Sequence, residues 1–345
     1  ISKKFSILLC IIILSICLKN LSYSQDQLQD YGVISLMYHR FEENKYPSTN
    51  IRIEDFKKHI EIINNEGLNF KKLENFLENF DKKKNERYIL LTIDDAFLSF
   101  YNQAWPFLKK NKIPFILFVS TREVGKNGYM NWDQIREISK EAFVHIGHHS
   151  HSHEYLIDED IELIKKDLLT ANQIFTKELG KVSKVFSYPF GEYSINFKKL
   201  VKNLGFSHAF GQHSGVIDNT KDLYELPRFP INEKYGDLKR FNTILKTLPF
   251  KYESIIPEER YINDKTNPPS VKIEFKRLYN LNKINCFSNE EDKWRKSKVV
   301  NVSDTTIAVS LAGKFTTERG RINCSLRTKT GFYHWLGIQF VVAEK

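Results

Sequence analysis

Tyr88-Ile89-Leu90-Leu91-Thr92-Ile93-Asp94-Asp95 is a short apolar run that ends in two adjacent carboxylates. A run of this length, rich in Ile and Leu, reads as a buried strand. A buried strand that ends in acids puts carboxylates at the open rim of a sheet, where α/β proteins collect their chemistry. About fifty residues later stands His149-Ser150-His151-Ser152-His153. Two His four apart face one way on a helical turn and can share one divalent cation. Taken singly, Asp94-Asp95 could cap the next helix and the His cluster could be a solvated loop. Taken together they favour a metal site.

Working outward, short apolar runs alternate with amphipathic segments from Val33 to about Phe250. Strands are expected at Val33–Met37, Tyr88–Ile93, Phe115–Val119, Phe143–Ile146 and Val185–Tyr188. Between them, Phe56, Ile60 and Ile63 fall on one helical face before Gly67. Ile161, Ile164, Leu168, Ala171 and Phe175 form a second stripe ended by Leu179-Gly180. This alternation predicts a parallel sheet or barrel with helices outside.

Composition shifts near Lys251. Pro257 and the stretch Asn263-Asp264-Lys265-Thr266-Asn267-Pro268-Pro269-Ser270 suggest a linker, followed by alternating runs such as Val271-Lys272-Ile273-Glu274-Phe275 and Thr306-Ile307-Ala308-Val309-Ser310. The expected organisation is a signal segment at 1–24, a catalytic domain at 25–255, a linker at 256–270 and a β-sandwich-like domain at 271–345.

The first residues carry the marks of a secretory signal: Lys3-Lys4, the apolar run Phe5 to Leu18, then Ser22-Tyr23-Ser24. The run has about fourteen residues, short of the roughly twenty that cross a bilayer. Export with cleavage is therefore expected, to the periplasm, the cell surface or the medium, with an uncleaved anchor as the alternative. Cleavage after Ser24 would remove Lys3, Lys4 and Lys19 and no acid, taking the formal charge from +10 to +7. The lysines are scattered and interleaved with acids, which reads as a solvated surface and gives no reason to expect a nucleic-acid partner. Cys286 and Cys324 would lie in an oxidising compartment and could pair, or stay as two buried thiols.

Four ordered motifs, Thr92-Ile93-Asp94-Asp95, Gly147-His148-His149-Ser150-His151-Ser152-His153, Phe186-Ser187-Tyr188-Pro189-Phe190-Gly191 and Leu226-Pro227-Arg228-Phe229-Pro230, resemble those of the polysaccharide deacetylases of carbohydrate esterase family 4. The resemblance covers about residues 31 to 250. It implies a distorted (β/α) barrel and metal-dependent hydrolysis of acetamides on sugars. It also implies roles: Asp95, His149 and His153 as ligands of a divalent metal, zinc foremost, and Asp94 as general base. The backbone N–H of Phe190, where the family usually has Tyr, would stabilise the oxyanion.

Two departures shape the rest. The family's late Leu-x-His element is matched here by Thr243-Ile244-Leu245-Lys246-Thr247-Leu248-Pro249, without His. A branch similar to the bacterial poly-N-acetylglucosamine deacetylases instead draws its acid His from the first strand, which points to His39 in Met37-Tyr38-His39-Arg40. His213 is a second candidate, and His208 reads as a core or loop residue. The third motif usually opens with Arg and here has Ser187, so Arg228 is expected to bring that charge to Asp94 from another loop. His148 and His151 should point away from the metal, as support around it or exposed.

Tyr129, Trp132, Tyr188 and Phe190 lie in or near rim loops. Trp132 and Tyr188 are the candidates for stacking on sugar, with core packing as the alternative. The second domain carries Trp294 and Phe332-Tyr333-His334-Trp335, for which glycan binding and packing on the barrel are the two alternatives. The expected function is an exported metal-dependent deacetylase of an N-acetylated polysaccharide. The alternatives are a catalytically silent glycan binder on the same fold and an O-acetyl or peptidoglycan deacetylase.

Overall fold

The computed structural model describes residues 31–80 and 87–343. The expected signal segment lies outside them. Eight parallel strands form the first sheet: β1 (Val33–Tyr38), β2 (Asn69–Phe70), β3 (Tyr88–Ile93), β4 (Phe115–Val119), β5 (Val144–His148), β6 (Val185–Ser187), β7 (His208–Phe210) and β8 (Phe229–Pro230). Their spatial order is β8-β1-β3-β4-β5-β6-β7, with β2 beside β3. Every residue of β1, β3 and β4 is buried, so these strands read as continuous apolar runs and not as alternating ones. The sheet curls into a distorted barrel whose seam is bridged by a parallel contact of Phe210 with Leu226, two residues before Arg228. Arg228 therefore sits where the two edges of the sheet meet.

Helices cover the outside. Phe56, Ile60 and Ile63 are buried in Ile53–Asn65. In Ile161–Leu179 the buried set is Ile164, Leu168, Ala171 and Phe175, while Ile161 is exposed at the first turn, which corrects the stripe read from sequence. Asp160 caps that helix and left-handed Gly180 ends it.

Two further sheets pack against the barrel. The first joins β9 (Thr247–Pro249), β11 (Tyr261–Ile262), β13 (Asn285–Glu290), β14 (Lys293–Lys296), β17 (Arg319–Arg327) and β18 (Tyr333–Val342). The second joins β10 (Tyr252–Ile256), β12 (Val271–Phe275), β15 (Lys298–Asn301) and β16 (Thr306–Ser310). A core that includes Phe250, Ile273, Phe275, Ile307, Ile322 and Phe340 lies between them. The expected break at 255 falls inside β10, and the expected linker 256–270 contains β11, which pairs with Val341 and Val342. Proline and polar composition suggested a linker there, but Tyr261 and Ile262 pair with β18 and tie the middle of the segment to the sheet. Cys286 and Cys324 are register partners on β13 and β17 and form a disulfide.

Barrel and sheets belong to one compact unit, Gly32–Lys345. Their contact is close at Gly337, whose N–H donates to the Ser214 carbonyl at 2.6 Å. A Cβ at Gly337 would meet that same oxygen at 2.5 Å, so the docked geometry requires glycine.

Candidate active site

The site forms at the carboxyl ends of β3 and β5. Asp94 continues the β1–β3 ladder, its N–H donating to the Tyr38 carbonyl at 2.9 Å. Asp95 then turns sharply, with φ of 73°, and Ala96 follows at 52°. Left-handed backbone at non-glycine residues costs of order 1–3 kcal/mol and tends to gather at functional sites. Here it separates two neighbouring carboxylates, one turned into the barrel and one turned toward the His loop.

The His-x-x-x-His segment is a loop and not the helical turn expected from its spacing. Ser150 and His153 both have positive φ, 68° and 54°. Polar contacts hold this shape: Asp167 accepts from the His151 N–H at 2.7 Å and the Ser152 N–H at 3.0 Å, and the Ser150 hydroxyl accepts from the His153 N–H at 3.0 Å. The spacing of four brings the two rings together by a tight loop, with ring centroids 4.8 Å apart.

One donor atom each from Asp95, His149 and His153 lies within 4.8 Å of the others. Asp95 Oδ1 is 3.3 Å from His149 Nε2 and 3.0 Å from His153 Nε2, yet this buried oxygen has no hydrogen bond of acceptable geometry. His149 Nδ1 is 2.7 Å from the Ser187 carbonyl. A carbonyl only accepts, so Nδ1 carries the proton and Nε2 presents a lone pair to the site. An orphaned carboxylate oxygen beside two imidazole nitrogens is a donor set that fits a divalent cation such as zinc.

Asp94 is separate from this trio and clamped. Arg228 donates to its Oδ1 at 2.7 Å and its Oδ2 at 2.9 Å, and also to the Ser187 hydroxyl at 2.8 Å and the Gly211 carbonyl at 2.9 Å. Both partners are fully buried. Ser187 is small enough to leave room for the guanidinium and adds a contact to Asp94 at 3.5 Å. Burial alone would raise the Asp94 carboxyl, but the charges of Arg228 and the neighbouring histidines hold it below the ordinary carboxylate range. Asp95 is likewise driven upward by burial and brought well below that range by His153 and His149.

His39, just beyond β1, lines the same cleft as Asp95 and His153. Burial lowers its pKa while Asp95 and Asp94 act in the opposite sense, so it feels both carboxylates. His213 also lines the cleft. Burial pushes its pKa to about 3, and the charges that act on it, Arg260, Lys198, Lys221 and Arg228, are all cations. Phe190 adopts φ of 57° in the turn after β6 and packs its ring against His153, centroids 4.8 Å apart.

Packing decides among several alternatives that the sequence left open. Trp132 meets Phe175 edge-on at 6.1 Å in the helical layer. Tyr188 is fully buried with its hydroxyl donating to the Tyr224 carbonyl. Neither reaches the cleft. His148 is buried among Phe175, Phe186 and Phe206, with a pKa lowered to about 3 by that burial, and its Nδ1 accepts from the Ser150 N–H of the His loop at 3.1 Å, so it supports the loop from the core. His151 does turn aside, to the Thr121 hydroxyl at 2.8 Å. His208 is buried against Phe76. Tyr129 is half-buried against Phe97, centroids 4.9 Å apart.

The aromatic surface of the cleft comes from residues that the sequence reading passed over or left open. Tyr155 stacks on Phe190 at 4.2 Å with ring planes 7° apart, and Trp294 and Trp335 enter from the C-terminal sheet. Tyr155 lies two residues beyond His153, a proximity that could have marked it. Asp167, which shapes the His loop, lies inside a helix where only its hydrogen bonds distinguish it.

Residues 81–209 match the family model for polysaccharide deacetylase. The chain is 28% identical over 195 residues to the poly-beta-1,6-N-acetyl-D-glucosamine N-deacetylase of Staphylococcus aureus strain MSSA476, covering 52% of this chain and 66% of that protein. It thus spans just under two thirds of the length of that Staphylococcus aureus protein. Among solved structures, the deacetylase PplD of Streptococcus pyogenes superimposes with a TM-score of 0.57 at 19% identity, covering 63% of this chain and 99% of that one. IcaB from Ammonifex degensii gives 0.56 at 23% identity, covering 63% and 98%. At these identities the two structures speak to the fold.

Proposed function

From the premise that this chain belongs to the polysaccharide deacetylase family, we propose that it is an exported, metal-dependent hydrolase that removes acetyl groups from the N-acetylated sugars of a polysaccharide. The observation that carries this reading is the convergence of Asp95, His149 and His153 beside an independently clamped Asp94.

Asp95, His149 and His153 would hold the metal. When bound, a divalent cation there supplies Lewis acidity, polarising an acetyl carbonyl and making a water acidic enough to attack at neutral pH. Asp94 remains a carboxylate and is the acceptor for the proton that the attacking water loses. The clamp fixes its direction, and each oxygen keeps a lone pair beyond those that Arg228 occupies. His39 gives a proton to the departing sugar amine, a role supported by its place in the cleft and by the charges of Asp95 and Asp94, which favour its protonated form. The Phe190 N–H would donate to the oxyanion, a main-chain contact for which the side chain is free to differ. Support for export comes from the apolar N-terminal run and from the Cys286–Cys324 pair, which suits an oxidising compartment. Similarity to the Staphylococcus aureus deacetylase favours a polymer of N-acetylglucosamine.

Acetate release should be followed from N-acetylglucosamine oligomers, peptidoglycan fragments and an O-acetylated glycan. Release is expected from at least one N-acetylated substrate and should be lost on chelation and restored by added zinc. No acetate from any of them, with metal bound, would instead establish a silent binder. Asp94→Asn should lower turnover by about 10²–10⁴-fold without changing metal content. His39→Ala and His213→Ala, compared at equal metal content, separate the two acid candidates: activity lost only in the second would overturn the assignment of His39.

A further inference from the structure

The cleft that holds Asp95, His39 and His153 has a volume of about 550 Å³, and one of its walls is not barrel. It is the face of β17, with Trp335 contributed by the adjacent strand β18 and Trp294 by β14, two strands away in the same sheet. β17 alternates strictly: Gly320, Ile322, Cys324 and Leu326 are buried in the C-terminal core, while Arg319, Arg321 and Asn323 point the other way. Of these, Arg319, Arg321 and Asn323 all line the cleft.

Two guanidinium groups two residues apart on one face of a strand repel each other unless acids share them. The acids are too few here. Arg319 pairs with the buried Glu192 through Nε and lies over the Phe190 ring at 5.1 Å, but its Nη2 is buried without a hydrogen-bond partner. Arg321 is largely enclosed, and among the described residues no carboxylate reaches it within ion-pair distance. Lys234 and Arg240 also line the cleft, and neither has an ion pair among the described residues. The indole N–H of Trp335 is a further buried donor without an acceptor. A wall of donors and positive charge with unmet valence is arranged for a ligand that brings acceptors and negative charge.

We propose that Arg319 and Arg321 form a subsite for an acidic group, so that the preferred polymer is an anionic N-acetylated glycan, with a carboxylate or a phosphate ester on or next to the sugar that loses its acetyl group. This rests on the deacetylase reading of the same cleft. The C-terminal domain on this view is a substrate-selecting wall. Planar guanidinium pairs grip either oxyanion in two-point fashion, and the exposed ring of Trp294 offers a face to the adjoining sugar. The neutral β-1,6-linked polymer named for the Staphylococcus aureus relative would leave Arg321 and the Nη2 of Arg319 unanswered.

Binding separates this proposal from the chemistry. Calorimetric titration of the zinc-loaded protein with three N-acetylated oligosaccharides of equal length, one neutral, one bearing carboxylates and one bearing phosphate esters, should give at least about tenfold tighter binding for an acidic one. Which acidic oligomer is preferred identifies the anion. In Arg321→Gln that preference should fall about tenfold, and Arg321→Lys should restore part of it. Circular dichroism confirms that each variant is folded. Acetate release from the same oligomers should show the preference in KM. Equal affinity of the wild type for all three, or a preference that survives Arg321→Gln in a folded variant, overturns the subsite whether or not acetate is released. Preference for the acidic oligomer without acetate release leaves the subsite standing and removes the deacetylase reading instead.

Discussion

The pairing of Arg228 with Asp94 shows how a single buried contact governs the chemistry of its neighbours. Two fully buried charges forgo several kcal/mol of hydration each, and only close, bidentate geometry compensates. Removing one partner leaves the other uncompensated. Arg228→Met should therefore destabilise the protein by about 3–5 kcal/mol in urea denaturation. A loss below about 1 kcal/mol would show that Asp94 does not depend on Arg228 for its charge. The motif Leu226-Pro227-Arg228-Phe229-Pro230 was legible in the chain, as was the gap that Ser187 leaves. The bidentate contact was not, because it needs the two sheet edges to meet at the seam where Gly211 and Thr92 also reach the guanidinium.

At the scale of elements, the His loop carries the precision of the site. Its two left-handed residues are unfavourable by themselves and persist because Asp167, on the long helix Ile161–Leu179, accepts two loop N–H groups. Asp167→Ala leaves the ligands intact but frees the backbone that aims them. Zinc affinity, measured by competition with a chromophoric chelator, should fall about 10–100-fold while circular dichroism stays unchanged. Unaltered affinity would mean that the loop holds its shape without Asp167. The spacing of His149 and His153 pointed to two rings that converge, which they do, but misled about the local structure. A helical turn and a tight loop both close a four-residue gap, and only contacts with distant side chains decide between them.

Across the whole molecule, burial of histidines in a basic protein couples stability to pH. His213 is neutral in the fold with a pKa of about 3, whereas in the unfolded chain it titrates near 6.5. Between those values the unfolded chain binds a proton that the folded one refuses, so stability is full above about 6.5 and is lost as pH falls. The difference amounts to about 2 kcal/mol by pH 5. Denaturation of wild type and His213→Gln at pH 6.5 and pH 5 should show the wild type losing more by about that amount; equal losses would place the His213 pKa near its ordinary value. The parallel barrel, the order of its strands' apolar runs and the residue types at the rim were determined by the chain itself, because period, run length and motif order are local properties. The tertiary structure alone decided that Arg228 grips both oxygens of Asp94, that His148 and Tyr188 are core, that Tyr261 and Ile262 within the segment read as a linker pair with β18, and that Arg319 and Arg321 face the cleft. Each of these depends on surfaces far apart in sequence being pressed together, and an amino-acid string does not record which buried face will find which partner.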